Sequence, residues 1–178
     1  ALESYVGFCP SFAFEPSTRA LYYVDSDLIM RLDTVAGTIS TVSTVTFRGL
    51  GGIGLYRGNL VVADTVRHRL PRVTPQGVFT SLAGTGFSTG SNPLIDAPAA
   101  EAILSGPGQL AIASDGTIFF TTDNNAVIRA LGTDGIVRHI GGSTTVRSNA
   151  GDGGPAKQAT FGSISRLAVD ARKRLYVV

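Results

Sequence analysis

The chain has 178 residues, of which 43% are apolar and 16% are charged, so it is long enough for one globular domain and too apolar to be disordered. Its formal net charge of +2 is too small to indicate nucleic-acid binding by itself. The single cysteine, Cys9, excludes an internal disulfide scaffold, and no apolar run reaches the ~18 residues of a membrane-spanning helix, so no membrane span is expected.

The first group of apolar runs lies over about residues 10–45 and predicts four short strands. Glycine and proline separate the runs, and no run has the length or spacing of an amphipathic helix. The predicted strands cover residues 12–14, 21–25, 29–32 and 38–42.

The four-strand pattern returns over about residues 50–86 and 107–142, and its first half returns over 164–178. The second and third copies align without gaps at an offset of 58 residues, which places Gly116 on Gly58 and Gly135 on Gly77. Four short strands repeated every ~40–60 residues are typical of β-propeller blades. We therefore predict an all-β fold, a single domain over residues 1–178 that forms a β-propeller fragment of about three and a half four-stranded blades.

The first strand of each blade is predicted to line the central channel, because a small residue recurs in it. These small residues are Ala13, Gly54, Ala111 and Ala168. The first and second strands supply the predicted core positions, which are Leu21, Tyr23, Leu60, Val62, Leu110, Ile112, Ile118, Phe120, Leu167 and Val169.

Two long connections between blades, 85–107 and 143–163, each contain a proline followed by an alanine-rich stretch. Proline suits the first turn of a helix and alanine favours its continuation. Each connection is therefore expected to hold one or two helical turns.

The segments Gly151-Asp152-Gly153-Gly154-Pro155-Ala156, Leu167-Ala168-Val169-Asp170 and Leu175-Tyr176-Val177 resemble the NHL-repeat family of β-propellers. Two segments of the second copy resemble the middle and the end of the same repeat. They are Val61-Val62-Ala63-Asp64-Thr65 and Leu82-Ala83-Gly84-Thr85-Gly86. The third copy departs from the pattern, with Thr122 where the first two copies have Asp25 and Asp64.

The resemblance implies a ring of about six blades, more than this chain supplies. The chain also stops inside a predicted strand at Val178, so we expect either a piece of a larger ring or closure with another copy. Uncovered blade flanks favour association. Self-association is therefore expected, with the terminal half-blade completed by a partner chain or by a strand over residues 3–6.

The function predicted from this fold is a non-enzymatic scaffold that binds a protein or another macromolecule through loops on the rim of the blades, with no cofactor. Length varies most in the loops on the side of the long connections. The candidate binding residues on that side are Arg67, His68, Asn124, Asn125, Arg147 and Asp152.

Three alternatives stay open. A metal-dependent propeller hydrolase or lyase would need axial ligands, for which only Glu15 and Asp170 are placed. RNA binding would use Arg48, Arg67, Arg69 and Arg147, but no aromatic residues that stack on bases are interleaved with them. The chain could also be the sensor portion of a larger receptor or kinase.

Three further polar features favour structural roles. Asp25 and Asp64 are expected to accept backbone amides in the turns that follow them, and His68 and His139 are expected at the surface. The Gly151–Gly154 run lacks the ligands of a phosphate or calcium loop and predicts a tight turn.

Overall fold

The computed structural model of the chain describes residues 11–42, 47–88 and 94–178. The described secondary structure is entirely β-strand apart from a single 3-10 turn over Ala156–Gln158. The predicted all-β class and its division into four-stranded antiparallel sheets are confirmed. The predicted strand over residues 3–6 lies outside the described residues.

Four sheets follow one another along the chain, and we call them the first to fourth blades. The first contains β1 (Phe12–Glu15), β2 (Ala20–Asp25), β3 (Leu28–Asp33) and β4 (Thr38–Thr41). The second contains β5 (Leu50–Tyr56), β6 (Asn59–Asp64), β7 (Leu70–Val73) and β8 (Phe79–Ala83). The third contains β9 (Ala97–Pro98), β10 (Leu110–Ile112), β11 (Ile118–Thr122), β12 (Val127–Leu131) and β13 (Ile136–Gly142), and the fourth contains β14 (Leu167–Val169) and β15 (Leu175–Val177).

The first strands of successive blades lie side by side: β5 contacts both β1 and β10, and β10 also contacts β14. The backbones come so close that the Gly52 amide donates to the Gly108 carbonyl at 2.6 Å. A Cβ atom at Gly54 would lie 2.7 Å from Ile112 Cδ1. A side chain at Gly52 or Gly54 would therefore collide with the neighbouring blade, which explains why β5 has small residues there.

Successive residues of β6 pack against opposite neighbours. Leu60 and Val62 belong to the core shared with the first blade, whereas Val61 and Ala63 belong to the core shared with the third blade. We call the flank that faces the preceding blade the leading flank, and the opposite one the trailing flank. Ile118 repeats the position of Leu60 on the leading flank of the third blade.

Most predicted core positions are buried: Tyr23, Leu60, Val62, Ile118, Phe120 and Leu167. Leu21, Leu110, Ile112 and Val169 are only half-buried. Leu21 lies on the leading flank of the first blade, which has no preceding blade within the described residues.

After Pro98 the chain makes one hydrogen-bonded turn, in which the Glu101 amide donates to the Pro98 carbonyl at 2.9 Å, but no helix follows. Ala97 and Pro98 instead pair with Val137 and Ile136 and add a fifth strand to the third blade. Proline is tolerated there because the strand lies at the edge of the sheet. The second connection does contain the expected turn, as the 3-10 turn over Ala156–Gln158.

The antiparallel strands give the blades two ends with different loops. One end carries the connections between blades and the turns between second and third strands, and we call it the connection face. The other carries the hairpin turns at residues 57–58, 113–117, 132–135 and 170–174, and we call it the turn face. All six candidate binding residues lie in loops of the connection face.

Candidate functional site: the connection face

The turn after β6 is built around Asp64, whose side chain is fully buried. Asp64 Oδ2 accepts Arg69 Nε at 3.1 Å and lies 3.6 Å from Arg67 Nη1. The expectation that Asp64 accepts backbone amides is therefore wrong, because two guanidinium groups bind the buried carboxylate instead. Arg69 also stacks over Phe79, 4.6 Å from the ring centroid.

His68 joins this turn to the connection that enters the third blade. Its Nδ1 accepts the Gly106 amide at 3.1 Å, which requires an unprotonated Nδ1. His68 has φ 51, a left-handed conformation that is uncommon outside glycine. Thr65 Oγ1 donates to the Pro107 carbonyl at 2.7 Å and fixes the same connection a second time.

The equivalent turn of the third blade contains three consecutive left-handed residues. Asp123, Asn124 and Asn125 have φ values of 54, 53 and 61. Asparagine and aspartate tolerate this conformation better than other side chains, but a run of three is uncommon. Such strain persists only where surrounding contacts impose it.

Contacts from three separate segments hold this turn. The Asp123 amide donates to the Ser105 carbonyl at 2.6 Å, and Arg147 Nη2 donates to the Asp123 carbonyl at 2.8 Å. The Ile164 amide donates to the Asn125 carbonyl at 2.7 Å. Asn124, in the middle, is exposed.

The structure therefore brings five of the six candidate residues onto one continuous surface. The segment 105–107 lies between the two turns and hydrogen-bonds to both. Arg67 and His68 are on one side of it, and Asn124, Asn125 and Arg147 are on the other. Sequence reasoning missed Ser105, Gly106 and Pro107, because a residue that acts through backbone carbonyls and amides leaves no side-chain pattern.

Asp152 lies apart from this surface, in the connection between the third and fourth blades. The connection folds back on itself through the paired backbones of Ala150 and Thr160, and Asn149 Oδ1 accepts the Gly162 amide at 2.9 Å. Asp152 is exposed beside a cleft of about 290 Å³. The predicted tight turn is present, because the Gly154 amide donates to the Gly151 carbonyl at 3.0 Å.

Arg129, in the middle of β12, anchors the connection between the second and third blades. Only 1% of the residue is exposed, and its Nη1 and Nη2 donate to the carbonyls of Ile103 and Ile95 at 2.9 Å each. Burial lowers the pKa of the Arg129 guanidinium, and the carboxylates of Asp123 and Asp96 oppose that shift.

The two carboxylates considered as axial ligands have other partners. Glu15 accepts Thr18 Oγ1 at 2.6 Å and the Tyr22 hydroxyl at 3.3 Å. Asp170 caps its turn by accepting two backbone amides and Arg174 Nε. Within residues 11–42, 47–88 and 94–178, no three His, Cys, Asp or Glu side chains form a group that could hold a metal ion.

His139 is buried, not at the surface as the sequence suggested. It is 8% exposed, and its Nε2 lies 3.2 Å from the Gly142 carbonyl oxygen. The described residues contain no helix long and apolar enough to cross a membrane.

Comparison with solved structures places the chain among β-propeller-like proteins. It matches a Bacteroides thetaiotaomicron protein of unknown function with a TM-score of 0.81 at 21% identity, covering 96% of this chain and 44% of that one. It matches an auxiliary nutrient binding protein of the same organism with a TM-score of 0.74 at 18% identity, covering 95% and 44%. It also matches a streptogramin B lyase with a TM-score of 0.65 at 13% identity, covering 99% and 50%.

No family model and no curated protein matches the chain. The chain spans half or less of the length of these three structures, and identities of this size show the fold alone. The class that fold and comparison define together is a β-propeller, of which this chain forms an arc of successive blades.

Proposed function

We propose that the connection face binds a macromolecular partner, with a protein as the expected class, and that the chain acts as a scaffold and not as an enzyme. The observation that carries the proposal is the turn at Asp123–Asn125. Three residues are held in a left-handed conformation by three neighbouring segments, and the central side chain is left facing solvent. Fixing a strained, exposed loop before binding reduces the entropy that a partner must overcome.

The basic residues of this face support a protein partner better than RNA. Arg67 and Arg69 are paired with the carboxylate of Asp64, and Arg147 donates to the Asp123 carbonyl. Guanidinium groups already engaged in this way offer less to phosphates than free ones. Partner binding with a weak dependence on salt would agree with this interpretation, and a steep dependence would favour RNA.

The test replaces exposed side chains without changing the backbone. The test protein is a double variant, Asn124→Gly with Asp152→Ala. Glycine at position 124 keeps the left-handed backbone conformation and removes only the side-chain carboxamide of asparagine. The matched control is Arg57→Gly, because Arg57 is exposed, has φ 50 and lies on the turn face. We expect quantitative affinity capture to recover partners with the wild-type chain and the control, and about tenfold less with the double variant.

Equal recovery of the same partners by all three proteins would overturn the proposal. Loss of partners with Arg57→Gly alone would also overturn it, because the turn face would then carry the binding.

A further inference from the structure

Three hydrogen bonds, one at each of its residues, hold segment 105–107 between the two turns of the connection face. They join the Ser105 carbonyl to the Asp123 amide at 2.6 Å, the Gly106 amide to His68 Nδ1 at 3.1 Å, and the Pro107 carbonyl to Thr65 Oγ1 at 2.7 Å. Two of the three acceptors are backbone carbonyls, which do not titrate. The third is a nitrogen of an ionisable ring, so the middle bond differs from its neighbours in how it responds to pH.

The bond from the Gly106 amide exists only while the ring of His68 is neutral. A neutral imidazole has one nitrogen that accepts, whereas both nitrogens of an imidazolium carry hydrogen and donate. After protonation, the N–H group of Gly106 and the Nδ1–H group of His68 would point at each other, and the bond would be lost. Histidine is the side chain whose ordinary charge change falls between about pH 5 and about pH 8.

The backbone of His68 is fixed, although the residue is half-buried and therefore reached by water. Its amide donates to the Thr65 carbonyl at 3.4 Å, and a Cβ atom at Gly84 would lie 2.5 Å from its carbonyl oxygen. On the other side of the bond, Gly106 is a glycine with φ 56 and has a wide choice of backbone conformations. We therefore expect protonation to displace segment 105–107 and not the His68 turn.

The other charged groups around His68 keep their charge over this pH range, because aspartate titrates below it and arginine above it. Segments 84–86 and 105–107, which contact the turn, have no ionisable side chain. The charged groups lie on the His68 turn, on the segment whose carbonyls accept the Thr65 and Val66 amides, and at the turn beyond segment 105–107. They are Asp64, Arg67, Arg69, Arg48, Asp123 and Arg147.

We propose that His68 is a pH-sensitive contact of the connection face, whose protonation breaks the bond from Gly106 and loosens the Asp123–Asn125 turn. The effect reaches that turn through the Ser105 carbonyl, which accepts the Asp123 amide one residue before Gly106. Left-handed residues of this kind persist only where surrounding contacts impose them, so a weaker support opens the turn more often. Release of a partner below about pH 6 rests on the proposed function, whereas the contact itself does not.

Amide hydrogen exchange, followed by NMR on the isotope-labelled chain, measures this contact without any partner. Each exchange rate is divided by the rate of an unfolded chain at the same pH, because the chemistry of exchange itself depends on pH. The protection of the Gly106 and Asp123 amides should fall about fivefold or more between about pH 7.5 and about pH 5. The Gly116 amide, which donates to the Ala113 carbonyl on the turn face, should keep its protection and is the internal control.

The chain has two histidines, which allow a matched pair of variants. His68→Asn removes the titrating ring and keeps the left-handed backbone, which asparagine tolerates, so the protection of Gly106 should no longer depend on pH. His139→Gln removes the other histidine, which lies beside the Gly142 carbonyl in β13, and should keep the wild-type response.

Unchanged protection of the wild-type Gly106 amide at the lower pH overturns the proposal, as does a response at Gly106 that leaves Asp123 unchanged. A pH response that survives in His68→Asn, or that disappears in His139→Gln, overturns it too. If circular dichroism shows that a variant does not fold, the imidazole NMR signals of the wild type decide, because the loss of protection must follow protonation of His68 and not of His139. The contact can fail while the proposed binding surface stands, and the reverse, because no partner enters the measurement.

Discussion

At the scale of the residue, Arg129 illustrates how one buried side chain fixes a long connection. Burying a guanidinium is costly unless its donors find partners, and Nη1 and Nη2 of Arg129 bind carbonyl groups from residues 26 and 34 positions earlier in the chain. The connection is thereby held against the third blade, close to the Asp123–Asn125 turn.

Replacing Arg129 with methionine should destabilise the protein by about 3 kcal/mol, because the carbonyls of Ile95 and Ile103 lose charged donors in a buried setting. Urea unfolding measures the change. Arg138→Met is the matched control, since Arg138 forms an exposed ion pair with Asp134 and should cost less than about 1 kcal/mol. Equal losses in the two variants would contradict the role assigned to Arg129.

At the scale of the element, four turns between strands share one device, those at residues 33–37, 113–117, 132–135 and 170–174. In each of the four, an aspartate accepts a backbone amide from two residues further along and also binds a basic side chain. These aspartates are Asp33, Asp115, Asp134 and Asp170. Each carboxylate is stabilised in its charged form, so the pKa of each lies below its usual value.

The lowered pKa values of these aspartates make the free energy of unfolding larger at neutral pH than in acid. Lys173 and the Thr117 amide lower the pKa of Asp115 from 3.8 to about 2, and Arg138 and the Ile136 amide do the same for Asp134. A lowered pKa contributes stability that is present above pH 3.8 and is lost as the pH falls toward about 2.

Lys173→Met should therefore raise the pKa of Asp115 toward 3.8 and leave that of Asp134 unchanged. Lys173 Nζ lies 2.8 Å from Asp115 Oδ2 and reaches it from the turn of the fourth blade. Carboxyl-carbon NMR titration follows both groups in one sample, so Asp134 is an internal control. An Asp115 pKa that does not respond would show that the two turns do not touch.

The sequence predicted strands better than connections, and β6 and β9 show why. In β6 the residues from Leu60 to Ala63 alternate between two cores, so an unbroken apolar run and its copy 58 residues later were enough to identify the strand. β9 is only Ala97–Pro98, and its pairing with Ile136 and Val137 depends on residues about 40 positions away. Local preference favoured a helix there, and the distant edge of the third blade determined the outcome.

The same limit applies to the candidate site. The sequence could place the loops of the connection face, because their lengths differ between copies. It could not show that Ser105, Gly106 and Pro107 join the two turns, since those contacts are made by the backbone. The residues proposed for binding remain predictions that the capture experiment tests.

At the scale of the whole molecule, each core is shared between neighbouring blades. Three clusters of buried side chains lie at the three joints between successive blades, and strands β6 and β11 each contribute to two of them. Packing between neighbouring blades therefore contributes to the stability of each blade.

The most direct test of this radial stacking is the contact between β5 and β10, the first strands of the second and third blades. We expect a strong nuclear Overhauser effect between the α protons of Gly54 and the δ1 methyl of Ile112, because a Cβ atom at Gly54 would lie only 2.7 Å from that methyl carbon. Absence of this cross-peak in a folded sample with assigned resonances would contradict the stacking of the blades.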